Sequence, residues 1–229
     1  MERLAKRCGR CDYWLVNQTT FKMPRPTNNH DRRAQIAEAL IGVMAKQGYD
    51  GASINDIAKK AGLAPGLVHY HFKNKLEILV EVVRTINARH DYVLDEALGR
   101  VRGTEARELV VFVEVHLGLG AHADPEVLAC WVLVMAEALR EKAIRTEVQA
   151  VLANLTWRIT DILNRGNLTG TFRCADVPAT AAALLAIIQG YFAVAATARE
   201  VIPPGSAARS ALRMMESLVG APLPRSRTR

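Results

Sequence analysis

Strand-type alternation of apolar and polar residues is absent from this chain, and so are β-hairpin dipeptides at strand spacing; both absences exclude a β-sheet architecture. Cysteine is scarce: Cys8, Cys11, Cys130 and Cys174 are too few and too scattered among 229 residues for a disulfide framework. Their thiols are expected to be reduced, in the cytoplasm. The opening MERLAKRCGRCDYW lacks the apolar run of a secretory signal. Cys8-x-x-Cys11 has neither a second pair nor a nearby histidine, so it is read as incidental rather than as a metal or redox site. His116 and His122 stand six apart, off the one-turn spacing of a zinc-binding helix, and no nucleophile–base pair or paired acids appear. No metal, no cofactor and no enzymatic activity are therefore expected.

Half of the residues are hydrophobic and 23% are charged, the composition of a globular domain with enough chain for a sizeable core. The formal net charge is +7, and its placement is informative. Residues 1–75 hold 13 Lys+Arg against 6 Asp+Glu, while residues 76–229 hold 17 of each. A basic front on a neutral body points to a polyanion, either nucleic acid or an anionic membrane surface.

The periodicity predicts helix after helix. Residues 30–47 place Ile36, Leu40, Val43 and Met44 on one stripe, with Gly48 as a stop. A short helix over 53–61 starts with the capping-box spacing Ser53–Asp56 and ends at Gly62. Another follows over 65–71 with Pro65 in its first turn. Asn74 caps a long helix from Lys75 to about Arg100, with Leu76, Leu79, Val83, Ile86, His90, Val93 and Leu94 on its stripe. Further helices are expected over 104–122, 125–141, 143–165, 177–198 and 206–219. The 22 uncharged residues between Asp176 and Arg199 reach the length of a membrane span. They include Pro178, Thr180, Gln189, Gly190 and Thr197 and lack cationic flanks and an aromatic belt, so a buried or subunit-facing helix is expected and no membrane.

The two short helices around Gly62 form a helix-turn-helix pattern. Ile54, Ile57, Ala58, Leu63, Val68 and Phe72 are spaced to pack together and onto the 30–47 helix. Pro65, Gly66, His69, Tyr70 and Lys73 are left on the outer side, where a helix enters a major groove. Here DIAKKAGLAPGLVHYHFKNKLEIL resembles the signature of the TetR family of bacterial transcriptional regulators. Ala58, Ala61, Gly62, Gly66, His71, Phe72, Asn74, Lys75 and Leu79 are in register, and the likeness covers residues 30–79. The pattern around Gln189-Gly190 resembles the BetI-like branch of that family. Two departures stand out: His69 occupies the family's usual tyrosine position, with Tyr70 beside it, and the recognition helix lacks Arg, Asn and Gln. Specificity would then lean on apolar contacts, on Asn55, on DNA shape, or on a basic arm of Arg25, Arg32 and Arg33.

The resemblance implies an all-α fold: an N-terminal three-helix helix-turn-helix head and a C-terminal helical bundle for ligand binding and dimerisation. The expected divisions are an N-terminal extension (1–28, with Met23 as an alternative start), a DNA-binding domain (29–74), a ligand-binding and dimerisation domain (75–220) and a flexible tail (221–229). The implied partners are a double-stranded, palindromic DNA operator, a small-molecule effector that releases the protein from it, and a second copy in a homodimer. The family's DNA contacts carry over to Ser53, Asn55, Pro65, Gly66, Leu67, His69, Tyr70, His71 and Lys75, with Ser53, His71 and Lys75 suited to phosphates. The expected ligand residues are Phe112, His116, Trp131, Met135, Asn154 and Trp157, and Trp131 or Trp157 beside Glu137 or Glu114 would suit a cation. Two rival functions are a sequence-neutral architectural DNA binder and an all-helical enzyme.

Overall fold

The structure, a computed structural model, describes residues 29–119 and 124–225. The expectations placed on Cys8, Cys11, Met23, Arg25, His122 and the last four residues lie outside them. The described residues form nine α-helices and no strand: α1 (Asn29–Gly51), α2 (Ile54–Ala61), α3 (Pro65–His71), α4 (Lys75–Gly99), α5 (Glu105–Leu117), α6 (Pro125–Glu137), α7 (Lys142–Thr169), α8 (Val177–Thr197) and α9 (Ser206–Val219). A short 3-10 turn, Arg199–Val201, which the periodicity does not announce, joins α8 to α9.

Local chemistry sets the boundaries. Ser53 caps α2 with its side chain accepting from the Asp56 N–H, while the Asp56 carboxylate accepts from the Ser53 N–H, so two orphan donors are satisfied reciprocally. Gly62 ends α2 in the left-handed conformation at φ 68°, where a Cβ would be strained, and this turn aims α3 across α2. Pro65 opens α3 where its missing N–H costs nothing. Asn74, Asp124 and Asp176 cap α4, α6 and α8. Gly48 is non-helical within α1, and the chain regains a last turn beyond it.

Ile36, Leu40 and Met44 of α1 are fully buried, as are Ile57, Val68, Leu79 and Val83. The front helices thus share one core with α4, and α1 also packs on α6. Behind them α5 to α9 form the body. Helix α8 meets α6, α7 and α9 through Thr180, Ala181, Leu184, Ile188, Phe192 and Ala195. The expectation of burial is met on one side only: Ala182, Ala186, Gly190, Ala193 and Val194 are exposed. α8 is long and apolar enough to cross a membrane by length and composition; its packing on α5, α6, α7 and α9 is that of a core helix with one open face.

Gly166 near the end of α7 is required by a close approach. A Cβ there would lie 2.0 Å from Cδ2 of Phe172, a buried residue whose backbone N–H donates to the Gly166 carbonyl. Alanine in a helix normally stabilises relative to glycine. Here the sign inverts: Gly166→Ala is expected to cost about 2–3 kcal/mol from overpacking, read as a lower urea midpoint. An unchanged or raised midpoint would show that the Phe172 ring has room to move.

Candidate functional site

Two places on this fold can do recognition chemistry. The first is the outer face of α2 and α3. Ser53, Asn55, Pro65, Gly66, Leu67, His69 and Tyr70 are all exposed there, Tyr70 to 81%. Val68 and Phe72 point the other way into the core. A Cβ on Gly66 would meet nothing within 4 Å, so nothing among the described residues demands glycine at that position. Lys59 and Lys73, exposed near the same helices, add positive charge at the front.

Two of the expected contacts have other tasks in the structure. The Lys75 ammonium donates to the carbonyls of Tyr49 (2.7 Å) and Ala52 (2.9 Å), reaches Asp50 O at 3.4 Å and lies over the Tyr49 ring. It caps the frayed end of α1, whose last carbonyls carry the negative end of the helix dipole. His71 donates from Nδ1 to Asn29 Oδ1 at 2.7 Å. Partial burial, then Arg33 and Arg32, holds it below the usual histidine range, so it brings no charge to a phosphate at neutral pH.

Of the basic arm, Arg25 lies outside the described residues, and Arg33 has an internal task. Arg33 donates twice to Glu81 (2.8 and 3.1 Å) and once to the His71 carbonyl (2.7 Å), and its guanidinium stacks 4.0 Å over Phe72. It is a strut joining α1, α3 and α4. Arg32 bonds Gln35.

Lys75→Met, which keeps the stem, separates the two roles for Lys75. The structure predicts a stability loss of about 2 kcal/mol, from charge-assisted bonds to partly buried backbone, with the salt dependence of DNA binding unchanged. A salt slope reduced by about one, at full stability, would restore the phosphate role.

The second place is a cavity of about 190 Å3 between α4, α5, α6, α7 and α8, lined almost wholly by carbon. Of the expected ligand residues, His116 and Trp131 line it. Phe112 lies one layer behind, stacked 4.3 Å from the His116 ring. Met135 is partly buried and does not line the cavity. Asn154 reaches Asp91 at 3.4 Å instead. Trp157 is 65% exposed on the outer face of α7, because the 28-residue helix turns that position away from the bundle. Neither Glu137 nor Glu114 lines the cavity, so the expected cation site is not assembled.

The rest of the wall was not among the expected ligand residues: it comes from α4 between Ile86 and Val93, Val127 and Leu128 of α6, Val151 and Leu155 of α7, and Gln189 and Phe192 of α8. Gln189 had a signal, a lone amide within the uncharged run; its Oε1 accepts from Trp131 Nε1 at 2.8 Å and fixes the indole. His90 had one too, a polar ring on the apolar stripe of α4. It lies 4.5 Å from the His116 ring, and burial lowers it to about 4; burial also pushes His116 well below the ordinary histidine range. Both rings are therefore neutral at pH 7. Arg89 on the wall is paired with Glu38 of α1 at 3.1 Å, so one ion pair ties the cavity to the front helices.

The likeness to known proteins fits both places. The family model for bacterial regulatory proteins of the tetR family matches residues 36–82, and that for the C-terminal part of BetI-type transcriptional repressors matches 105–220. A transcriptional regulator named BetI from Rhizobium meliloti is 26% identical over 125 residues, 54% of this chain; the match spans 60% of that relative's length, under two thirds. A chain from Saccharomonospora viridis, crystallised with choline, shares the fold with a TM-score of 0.74 at 23% identity, over 85% of this chain and 99% of its own. FadR from Bacillus subtilis, in complex with stearoyl-CoA, does so at 0.63 and 22%, over 81% and 96%. An all-helical chain with a helix-turn-helix front, matched by both family models across most of its length, belongs to the TetR family of bacterial regulatory proteins, with a BetI-type C-terminal region.

Proposed function

We propose that this protein is a cytoplasmic, ligand-responsive repressor that grips a palindromic DNA operator as a homodimer and lets go when a small molecule fills the cavity. It acts by binding rather than by catalysis. The division of labour runs near residue 74, with 29–74 holding DNA and 75–220 holding ligand and partner. The observation that carries this reading is the α3 face: a glycine the fold does not need, flanked by exposed Pro65, Leu67, His69 and Tyr70. With Ser53 and Asn55 of α2 these side chains suit phosphate and base-edge contacts, Leu67 a thymine methyl.

Dimerisation is supported by the outer faces of α7 and α8. Trp157, Leu168 and Val194 are exposed there beside the alanines of α8, an apolar surface that two copies would cover as a four-helix bundle. Release follows from geometry. The two α3 helices of a dimer must sit about 34–36 Å apart to enter successive major grooves. A ligand that binds better to a differently spaced state draws the population off DNA by its differential affinity. Helix α4 carries both the cavity wall and, through Arg89–Glu38, a direct hold on α1, so it serves as the lever.

The test is selection of bound fragments from genomic DNA with purified protein. The reading predicts an inverted repeat with half-sites one helical turn or a multiple apart, and two chains or a multiple of two on each site. Fragments without a shared sequence would favour the architectural binder instead.

A further inference from the structure

His116, one of the residues lining the cavity, carries a polar atom whose chemistry narrows the ligand. His116 is only 1% exposed. Its Nδ1 lies 2.7 Å from the carbonyl oxygen of Phe112. A carbonyl only accepts, so Nδ1 holds the hydrogen, and in the neutral ring Nε2 is a bare lone pair. That Nε2 is buried with no hydrogen-bond partner among the described residues. Buried acceptors left unmet are costly and uncommon, so the site is complete only when a donor arrives.

Charge narrows it further. Arg89 is the one formally charged side chain on the wall, and it is paired with Glu38; no carboxylate lines the space. Among the described residues a cation would meet no carboxylate on the wall; Arg89 keeps Nη1 on Glu38 while its buried Nη2 has no partner, so an acidic ligand is the class the test must exclude. Size sets the last limit. An apolar cavity of about 150 Å3 accommodates benzene, so 190 Å3 holds one ring with a small substituent or two. Trp131, Phe192 and Tyr92 offer it aromatic surface, the first held in place by Gln189.

We propose that the cavity receives a compact, uncharged, single-ring molecule with one hydrogen-bond donor, a phenol or an aryl alcohol, whose hydroxyl donates to His116 Nε2. This deepens the ligand-responsive reading above and rests on it. It separates this chain from its choline-bound structural neighbour on charge alone, since no carboxylate among the described residues lines the cavity.

Titration calorimetry at neutral pH on the full chain tests it with p-cresol and anisole. They are isomers of one formula, and only p-cresol has a donor; toluene is a probe with neither donor nor acceptor. The expected result is p-cresol at least about tenfold tighter than anisole, the usual worth of satisfying a buried acceptor. His116→Phe, which keeps a ring in the Phe112 stack, should erase that difference while toluene still binds. Equal binding of the two isomers to the wild type overturns the donor assignment, and toluene binding would then show that the cavity still takes ligands. Tighter binding of benzyltrimethylammonium or 4-methylbenzoate than of p-cresol overturns the uncharged class. If none of the five binds, this proposal and the ligand-responsive reading fall together. Should His116→Phe fail to fold, the isomer comparison on the wild type decides alone.

Discussion

Gly66→Glu is expected to leave the fold intact and to reduce operator affinity at least a hundredfold, about 2.7 kcal/mol. The position is in the first turn of α3, is exposed, and offers open space to a Cβ. A glutamate there trades a flexible glycine for a better helix former and puts a negative charge at the favourable end of the helix dipole, so thermal stability should hold or rise slightly. On DNA the same side chain occupies the gap through which the backbone approaches the groove and sets a negative charge in a field of phosphates. Gly66→Ala separates the two effects: bulk alone weakens binding, charge adds the rest. Melting temperature and fluorescence anisotropy on the selected operator check both halves. Undiminished affinity in Gly66→Glu would remove α3 from the interface.

The second large effect is acid sensitivity; it comes mainly from the cavity, with His71 of the DNA face adding in the same sense. His90 and His116 are held neutral by burial, so their folded values lie below the ordinary one of about 6.5. As pH falls below that value, the unfolded chain takes up protons that the folded chain refuses, and stability is lost at about 1.4 kcal/mol per unit for each ring. For His90 the loss continues down to about pH 4. Between pH 7 and 5 the pair should cost about 4 kcal/mol in all. Glu38 and Asp91, which burial pushes up, work in the opposite sense, nearer the carboxylate range, so the window from pH 7 to 5 is where the histidines dominate. Urea unfolding at stepped pH should show the slope, and His116→Phe should roughly halve it. A flat profile across that window would mean that water reaches both rings.

How far the sequence could be read depended on the distance between cause and effect. The capping box at Ser53–Asp56, the left-handed Gly62, Pro65 and the Asn74 cap are each settled by three or four neighbouring residues, and the short helices they bound are where periodicity puts them. Longer helices kept their starts and shifted their ends, since α5 stops at Leu117 and α6 at Glu137, well before the apolar pattern fades. The side chains whose internal bonds the sequence did not announce are those whose partners lie far along the chain. Lys75 finds its carbonyls 23 to 26 residues away, and Arg33 its carboxylate 48 away. From sequence alone a cation near a DNA-reading helix looks the same whether it faces phosphate or caps a helix. Trp157 and Asn154 were misplaced for a related reason. Along the 28 residues of α7 a small error in phase carries a side chain from the inner wall to the outside. His116 and Trp131 were legible because each is a polar-tipped ring within a dense apolar stretch, and such rings need an internal partner.

The central claim is that a cationic front reads duplex DNA and a carbon-lined cavity behind it governs release. Its most direct test is the affinity of the purified chain for the selected inverted repeat against a random duplex of equal length, at physiological salt. The account predicts a preference of ~10³-fold or more. Equal affinity for the two duplexes would contradict it.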